Sequence, residues 1–318
     1  MLRKIRVASA PNSHHKPLMT PVQKTISGHA WLLIAVLSLI WGGSFLSVHV
    51  ALVELGPLTA VAHRTGWAML ILWCYIAIKR LPIPREPRVW AAFLVMGILN
   101  NVIPFSLMAW GQLYIETGLT AILNASTAIF GVLTAAIFFA DEKLSWRKAI
   151  GVTIGFFGVA TAIGLANLTH FDLRSVAQLA VVGGTLSYAL AGVWARKTMG
   201  HLKPQVAAAG MVTGASVVTI PLAWIVEGPM TLDLTPATWL AIGYYAIVAT
   251  AVAYLIYYRV LAMVGSGNLM LVTLTVAPVA IILGAVTLRE ALPLNAYIGF
   301  GILALGLIIL DGRLLKRR

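Results

Sequence analysis

The residues best suited to meet a small molecule are few and lie in apolar surroundings. Arg64 stands about seven positions into a long apolar run, where a charge without a partner is costly. One reading makes it a clamp for an anionic substrate, for instance a carboxylate. The other makes it a structural pair with Glu54 or Glu116, or a side chain that snorkels to the membrane surface across two helical turns, about 10 Å. Asn100 and Asn101 sit at the middle of another apolar run, where a bare amide needs a partner, either a neighbouring helix or a substrate. Pro104, three residues on, removes a backbone donor and bends a helix, so Asn-Asn followed by Pro fits a break lining a cavity. Trp41 and Tyr188, central in their own runs, are the aromatic candidates. Tyr254 lies deep in a Tyr-rich stretch, and Asn124, Ser126, Thr127, Thr273 and Thr275 are weaker polar candidates, since Ser and Thr can satisfy their own helix backbone.

No catalytic pattern accompanies them. The chain has no HExxH, GxSxG or phosphate-binding loop, and every acidic residue falls near the end of an apolar run or in a loop. Its one cysteine, Cys74, excludes an intrachain disulfide and a cysteine-based metal site. Neither catalytic residues nor metal ligands nor a cofactor are therefore expected. His63 and His49 read as packing or interface residues, although histidine can titrate near neutral pH.

What positions these residues is a bilayer. Hydrophobic residues make up 60% of the 318 and charged ones 10%, more apolar surface than a soluble domain needs. The apolar runs have the length of membrane-spanning helices. Ten are read, at 30–53, 57–78, 89–113, 118–140, 147–166, 175–195, 204–226, 236–258, 267–288 and 294–312. Continuous runs exclude a β-barrel, whose strands alternate. The net charge of +13 is not a nucleic-acid signal. With the N-terminus inside, all of the 23 Lys and Arg except Arg64, Arg174 and Arg289 fall on the cytoplasmic side, the bias that orients membrane proteins. Six of the ten acidic residues, Glu54, Glu116, Asp172, Glu227, Asp233 and Glu290, fall outside. Both termini are expected in the cytoplasm. Residues 1–28, basic and with Pro11, Pro17 and Pro21, read as a disordered tail with no cleavable signal peptide.

The chain also repeats itself. At an offset of 148, Glu142 matches Glu290, Leu144 matches Leu292, and Ile150-Gly151 matches Ile298-Gly299; Gly158 and Gly164 match Gly306 and Gly312. The halves are read as 29–166 and 167–318. A unit of five spans repeated in tandem emerges upside down, which places Glu142 inside and Glu290 outside. The expected fold is thus an all-α membrane protein of ten transmembrane helices in two inverted five-helix repeats, the arrangement of alternating-access carriers. Glu142 and Glu290 are expected to serve the starts of helices five and ten through the helix dipole. The glycine faces Gly151/Gly155/Gly158 and Gly210/Gly214 are expected to pack within the chain, so a monomer is expected over a homodimer.

Trp41-Gly-Gly-Ser44-Phe, Pro57…Arg64 and the Glu-x-Leu turns before glycine-rich helices five and ten resemble the drug/metabolite transporter superfamily, EamA-type family, over residues 30–312. The resemblance implies a small-molecule carrier, usually an exporter of amino acids or other metabolites, in a bacterial-type inner membrane. It also implies a pathway lined by helices one, three and four with six, eight and nine, which carry the candidates Trp41, Ser44, Asn100, Asn101, Asn124, Tyr188, Tyr254 and Thr273; Arg64, on helix two, is added on its own chemistry. Helix nine has Val276-Ala277-Pro278, whereas helix four, Ser126 to Phe130, lacks the proline often found there. A passive pore or a membrane subunit of a larger assembly is the alternative reading.

Overall fold

The computed structural model describes residues 27–140, 144–164, 172–269 and 271–311. The N-terminal tail and Glu142 lie outside them. Helices fall on the apolar runs, and they are named here in chain order: α1 (Gly28–Ala51), α2 (Pro57–Ile78), α3 (Pro87–Gly111), α4 (Thr117–Phe138), α5 (Trp146–Ile163), α6 (Leu173–Thr198) and α7 (Pro204–Glu227). α8 runs through Pro236–Ile242, Gly243–Val252 and Ala253–Leu269; α9 through Leu271–Leu283 and Gly284–Leu288; α10 is Leu294–Asp311. Seven of the helices are long and apolar enough to cross a membrane by length and composition alone, and two shorter apolar stretches, Thr275–Leu288 and Leu294–Leu310, follow them. No strand occurs among the described residues. The outward faces are apolar, as at Ile78, Ile225 and Val286, which suits lipid as the solvent.

Local chemistry explains where the helices begin. α2, α3, α7 and α8 start on Pro57, Pro87, Pro204 and Pro236, where the missing N–H would have had no helical partner. Ser27, Ser145, Asp172 and Thr235 cap α1, α5, α6 and α8 with side-chain oxygens.

α3 and α8 are not uniform α-helices. Residues Ile98–Val102 of α3 and Gly243–Val252 of α8 are π-helical, and a third π-helical turn, Gly284–Leu288, ends α9. Such widening shifts the hydrogen-bond ladder and leaves carbonyls for other donors. α4 breaks at Ala125–Ser126 although it has no proline, while α9 runs unbroken through Pro278. The break has its own donor, since Ser126 Oγ bonds to the Leu123 carbonyl at 2.7 Å.

Two large apolar clusters make the core. One joins α1, α4, α5, α6, α9 and α10; the other joins α2, α3 and α7 with parts of α6 and α8. α5 and α10 meet backbone to backbone. A Cβ on Gly158 would strike Leu303 and the Gly299 carbonyl, and one on Gly306 would strike Gly155 and the Gly151 carbonyl. Gly151 therefore faces Gly306, and Gly158 faces Gly299. The glycine face of α5 is occupied from within the chain. So is that of α7, where Phe93 and Leu94 lie on Gly210 and Gly214.

Candidate functional site

The two π-helical segments of α3 and α8 come together with the N-terminal half of α2 and the middle of α6. Arg64 Nε donates to Thr250 Oγ1 at 2.9 Å, and Thr250 Oγ1 in turn donates to the Tyr245 carbonyl at 2.8 Å. The guanidinium lies over the Phe105 ring, 3.8 Å from its centre, a stabilising placement for a cation in apolar surroundings. Tyr188, Tyr245 and Tyr254 lie within electrostatic reach of it. Phe105 stands edge-on to Tyr188 with centroids 6.4 Å apart.

Asn100 and Asn101 sit in the π-helical turn and both point their amide nitrogens at the Tyr254 hydroxyl, at 3.3 and 3.1 Å. Asn101 is fully buried, and its Oδ1 has no hydrogen-bond partner, an arrangement that costs free energy unless something donates to it. The widened helices expose carbonyls that neighbours take up: Ser187 Oγ bonds to the Leu99 carbonyl at 2.7 Å, and Trp41 Nε1 to the Ala249 carbonyl at 3.1 Å. α6 is thereby tied to the π-helical turn of α3, and α1 to that of α8. Arg64, Asn100, Tyr188, Tyr254 and Trp41 keep part of their surface accessible although Phe105, Thr250 and Ala249 around them are buried.

Arg64, Asn100, Asn101, Tyr188 and Tyr254 therefore gather in one place, with Trp41 beside them. Trp41 and Tyr188 have separate ring partners, Tyr257 at 5.7 Å for Trp41 and Phe105 for Tyr188. Ser44 is buried and spends its hydroxyl on the Trp41 carbonyl at 2.7 Å. The glycines before it admit neighbours: a Cβ on Gly42 would meet Val279 of α9, and one on Gly43 would meet the Tyr244 hydroxyl. Asn124 lies at the break in α4, with its Oδ1 buried and unpartnered. Thr273 is half-buried on α9, which packs along α1, where Ser38 and Thr275 hydroxyls are 2.5 Å apart. His63 accepts from Trp67 Nε1 at 3.3 Å and stands edge-on to Trp239, a packing role. Thr250, Phe105 and Ser187 carry no sequence signal beyond a lone hydroxyl or ring in an apolar run; only the fold makes them partners.

Of the alternatives open for Arg64, a pair with Glu54 or Glu116 is not found. Glu54 accepts from the Thr235 N–H at 3.0 Å and from its hydroxyl. Glu116 pairs with Arg174 at 2.7 Å. Glu290 corrects a second expectation: it does not serve the helix it precedes. It accepts from Thr117 N at 2.9 Å, Thr117 Oγ1 at 2.7 Å and Gly118 N at 3.3 Å, at the start of α4. Glu227, at the end of α7, does the same for α2, accepting from Leu58 N at 2.9 Å, Thr59 N at 2.8 Å and Thr59 Oγ1 at 2.7 Å. Clefts of about 450 Å³ lie at this carboxylate end, one beside Glu116, Arg174 and Gln178, another beside Glu54 and Thr235. In them Glu116 is paired with Arg174, and Glu54 is bonded by Thr235. No group of three or more metal-ligating side chains occurs among the described residues.

The chain resembles known proteins along nearly its whole length. The sequence profile of the EamA-like transporter family matches residues 27–164 and, a second time, residues 175–310. An "uncharacterized transporter YoaV" of Bacillus subtilis is 22% identical over 279 residues, which is 87% of this chain and 94% of the relative. A "probable terminal-alkyne amino-acid exporter" of Streptantibioticus cattleyicolor is 26% identical over 301 residues, 92% and 96% of the two chains. A "probable amino-acid metabolite efflux pump" of Escherichia coli is 22% identical over 289 residues, 87% and 93%. A crystal structure 18% identical in sequence superposes with a TM-score of 0.66 over 92% of this chain and 100% of that one, which bears on the fold alone.

Proposed function

The chain belongs to the EamA-like transporter family and is a multi-pass membrane transporter; on that premise we propose that it is a secondary carrier that exports a small organic metabolite, an amino acid or related compound, across the inner membrane by alternating access. In this reading ten spans form two inverted repeats of five, with both termini cytoplasmic. The observation that carries it is the family profile matching twice in succession, one unit written twice. Further support comes from the crosswise glycine contacts of α5 and α10. Gly151 and Gly299 correspond at the repeat offset, as do Gly158 and Gly306, and each touches the other's counterpart. A twofold relation in the membrane plane produces that exchange. The π-helical turns also correspond, since Ile98–Val102 shifted by the same offset falls within Gly243–Val252. Names of two relatives, the exporter and the efflux pump, support amino-acid chemistry and an outward direction.

The pathway runs between the halves, past Trp41, Asn101, Tyr188 and Tyr254. Because no carboxylate lies in the middle of a span, facilitated diffusion or exchange is proposed over a carboxylate proton relay. Uptake into proteoliposomes should be saturable and show counterflow, with Asn101→Leu lowering it by on the order of tenfold without changing the folded yield. Ohmic conductance through the purified protein would instead identify a passive pore. Uptake that follows an imposed pH gradient would overturn the uncoupled mechanism.

A further inference from the structure

A buried guanidinium normally has its carboxylate beside it; Arg64 has none among the described residues. The two carboxylates that the sequence offered as partners are committed, Glu54 to Thr235 and Glu116 to Arg174. Glu227 and Glu290 hold the starts of α2 and α4, and Asp172 caps α6. Glu86 and Asp233 are exposed at loop ends. What Arg64 does have orients it. Thr250 takes the Nε–H, and Phe105 takes one face of the plane. That fixes the guanidinium while the two terminal nitrogens keep their donors, the edge that receives both oxygens of an acid group. Close by, Asn101 Oδ1 is a buried acceptor with nothing to accept, suited to an ammonium or hydroxyl on the same molecule. Arg64 is the one Lys or Arg placed within a span by the charge count, so a single negative charge balances it. A dianion would bring a second, uncompensated charge into a medium where that is costly.

Resting on the carrier reading above, we propose that Arg64 is the receptor for the carboxylate of the transported molecule, so that substrates are monocarboxylates or zwitterions and amines without an acid group are refused. Thr250 and Phe105 are its positioning residues. A receptor of this kind is held ready at the expense of stability, because an empty site leaves the charge unpaired.

Thermal unfolding of the purified protein in detergent tests this even while the substrate is unidentified. In sodium chloride, Arg64→Met should unfold at a higher temperature than the wild type, since an apolar side chain of similar length replaces an unpaired charge. Sodium acetate at equal ionic strength should raise the wild-type midpoint by several degrees and leave Arg64→Met unmoved; Arg64→Lys, which keeps the charge but not the fork, should respond less than the wild type. An Arg64→Met protein that unfolds earlier or fails to fold makes Arg64 structural and overturns the proposal. So does a wild type indifferent to acetate, or one stabilised as well by chloride, which would make the site a halide site. In proteoliposomes, uptake of isopentylamine as fast as L-leucine or 4-methylpentanoate would also overturn it while leaving the carrier reading intact. Ohmic currents together with an intact acetate response would sink the carrier reading alone.

Discussion

The two ends of the molecule join its halves by different chemistry. At the carboxylate end, Glu54 reaches from the first half to Thr235 in the second, and Glu227 and Glu290 reach from the second half to helix starts in the first. At the opposite, basic end, the halves meet through cations and indoles. Arg196 lies over Phe139 at 4.1 Å, Lys197 is 5.0 Å from the Phe138 ring centre, and Trp194 Nε1 donates to the Ala92 carbonyl at 3.0 Å. The helices that start at the basic end are served locally, by Ser27, Ser145 or a first-turn proline. The charge asymmetry between the ends is thus also a difference in adhesive, acids on helix N-termini at one end and cations on rings at the other. Parting the halves at the carboxylate end strips caps from α2 and α4 and one bonded carboxylate from α8, at about 0.5–2 kcal/mol per cap. At the basic end the starts of α1, α3, α5 and α7 take no cap from the other half and have none to lose.

Loss of a cap supplied by the other half should be the largest effect. Glu290→Ala abandons three donors at the start of α4, and Glu227→Ala three at the start of α2. Each should lower stability by about 2–3 kcal/mol, read as an earlier thermal midpoint, with the Gln variants losing roughly half as much because one acceptor remains. Gly56→Ala should resemble Glu227→Ala, since its Cβ would occupy the place of the Glu227 carboxylate. Midpoints equal to the wild type would erase the contrast between the ends.

An intermediate effect is expected from pH. The Thr235 hydroxyl and N–H hold the Glu54 carboxyl below the usual carboxylate range. A depressed folded value means that its contribution is complete above the unfolded value of about 4.3 and is lost as pH falls through the folded one. The midpoint should therefore drop on acidification, and Glu54→Gln should flatten part of the drop, the remainder belonging to other carboxylates held low, such as Asp172 through its bonds from Ser175. An unchanged slope in Glu54→Gln would remove Glu54 from the set. The smallest effect should come from the basic end, where Arg196→Gln loses a ring contact worth about 0.5–1 kcal/mol. A loss as large as that of Glu290→Ala would reverse the comparison.

The apolar runs located the described helices, because apolar length is a local property, and Pro57, Pro87, Pro204 and Pro236 marked four of their starts, although Pro221 and Pro278 stand inside helices. The gathering of Arg64, Asn101 and Tyr254 was half legible: each is a polar group in an apolar run, but which of them meet depends on helices 153 residues apart folding together. Three features were hidden. Glu290 looked like a first-turn acid of α10, and only the fold brings α4 to it. The break in α4 occurs without proline because Ser126 offers its own hydroxyl to the chain. The π-helical turns depend on Ser187 and Trp41, donors from other helices that take the freed carbonyls as partners, and no local propensity encodes them.

The glycine seam between α5 and α10 has a practical meaning for measuring this protein. Where Gly158 meets Gly299 and Gly306 meets Gly151 and Gly155, its contacts are backbone on backbone, with the side chains of Leu310 and Ile129 packed beside them. A spectroscopic label on each side of that seam would report a separation that stays constant while the rest of the molecule changes shape. Paired with labels across the Glu227 and α2 contact, it supplies the fixed reference against which any movement of the ends can be calibrated.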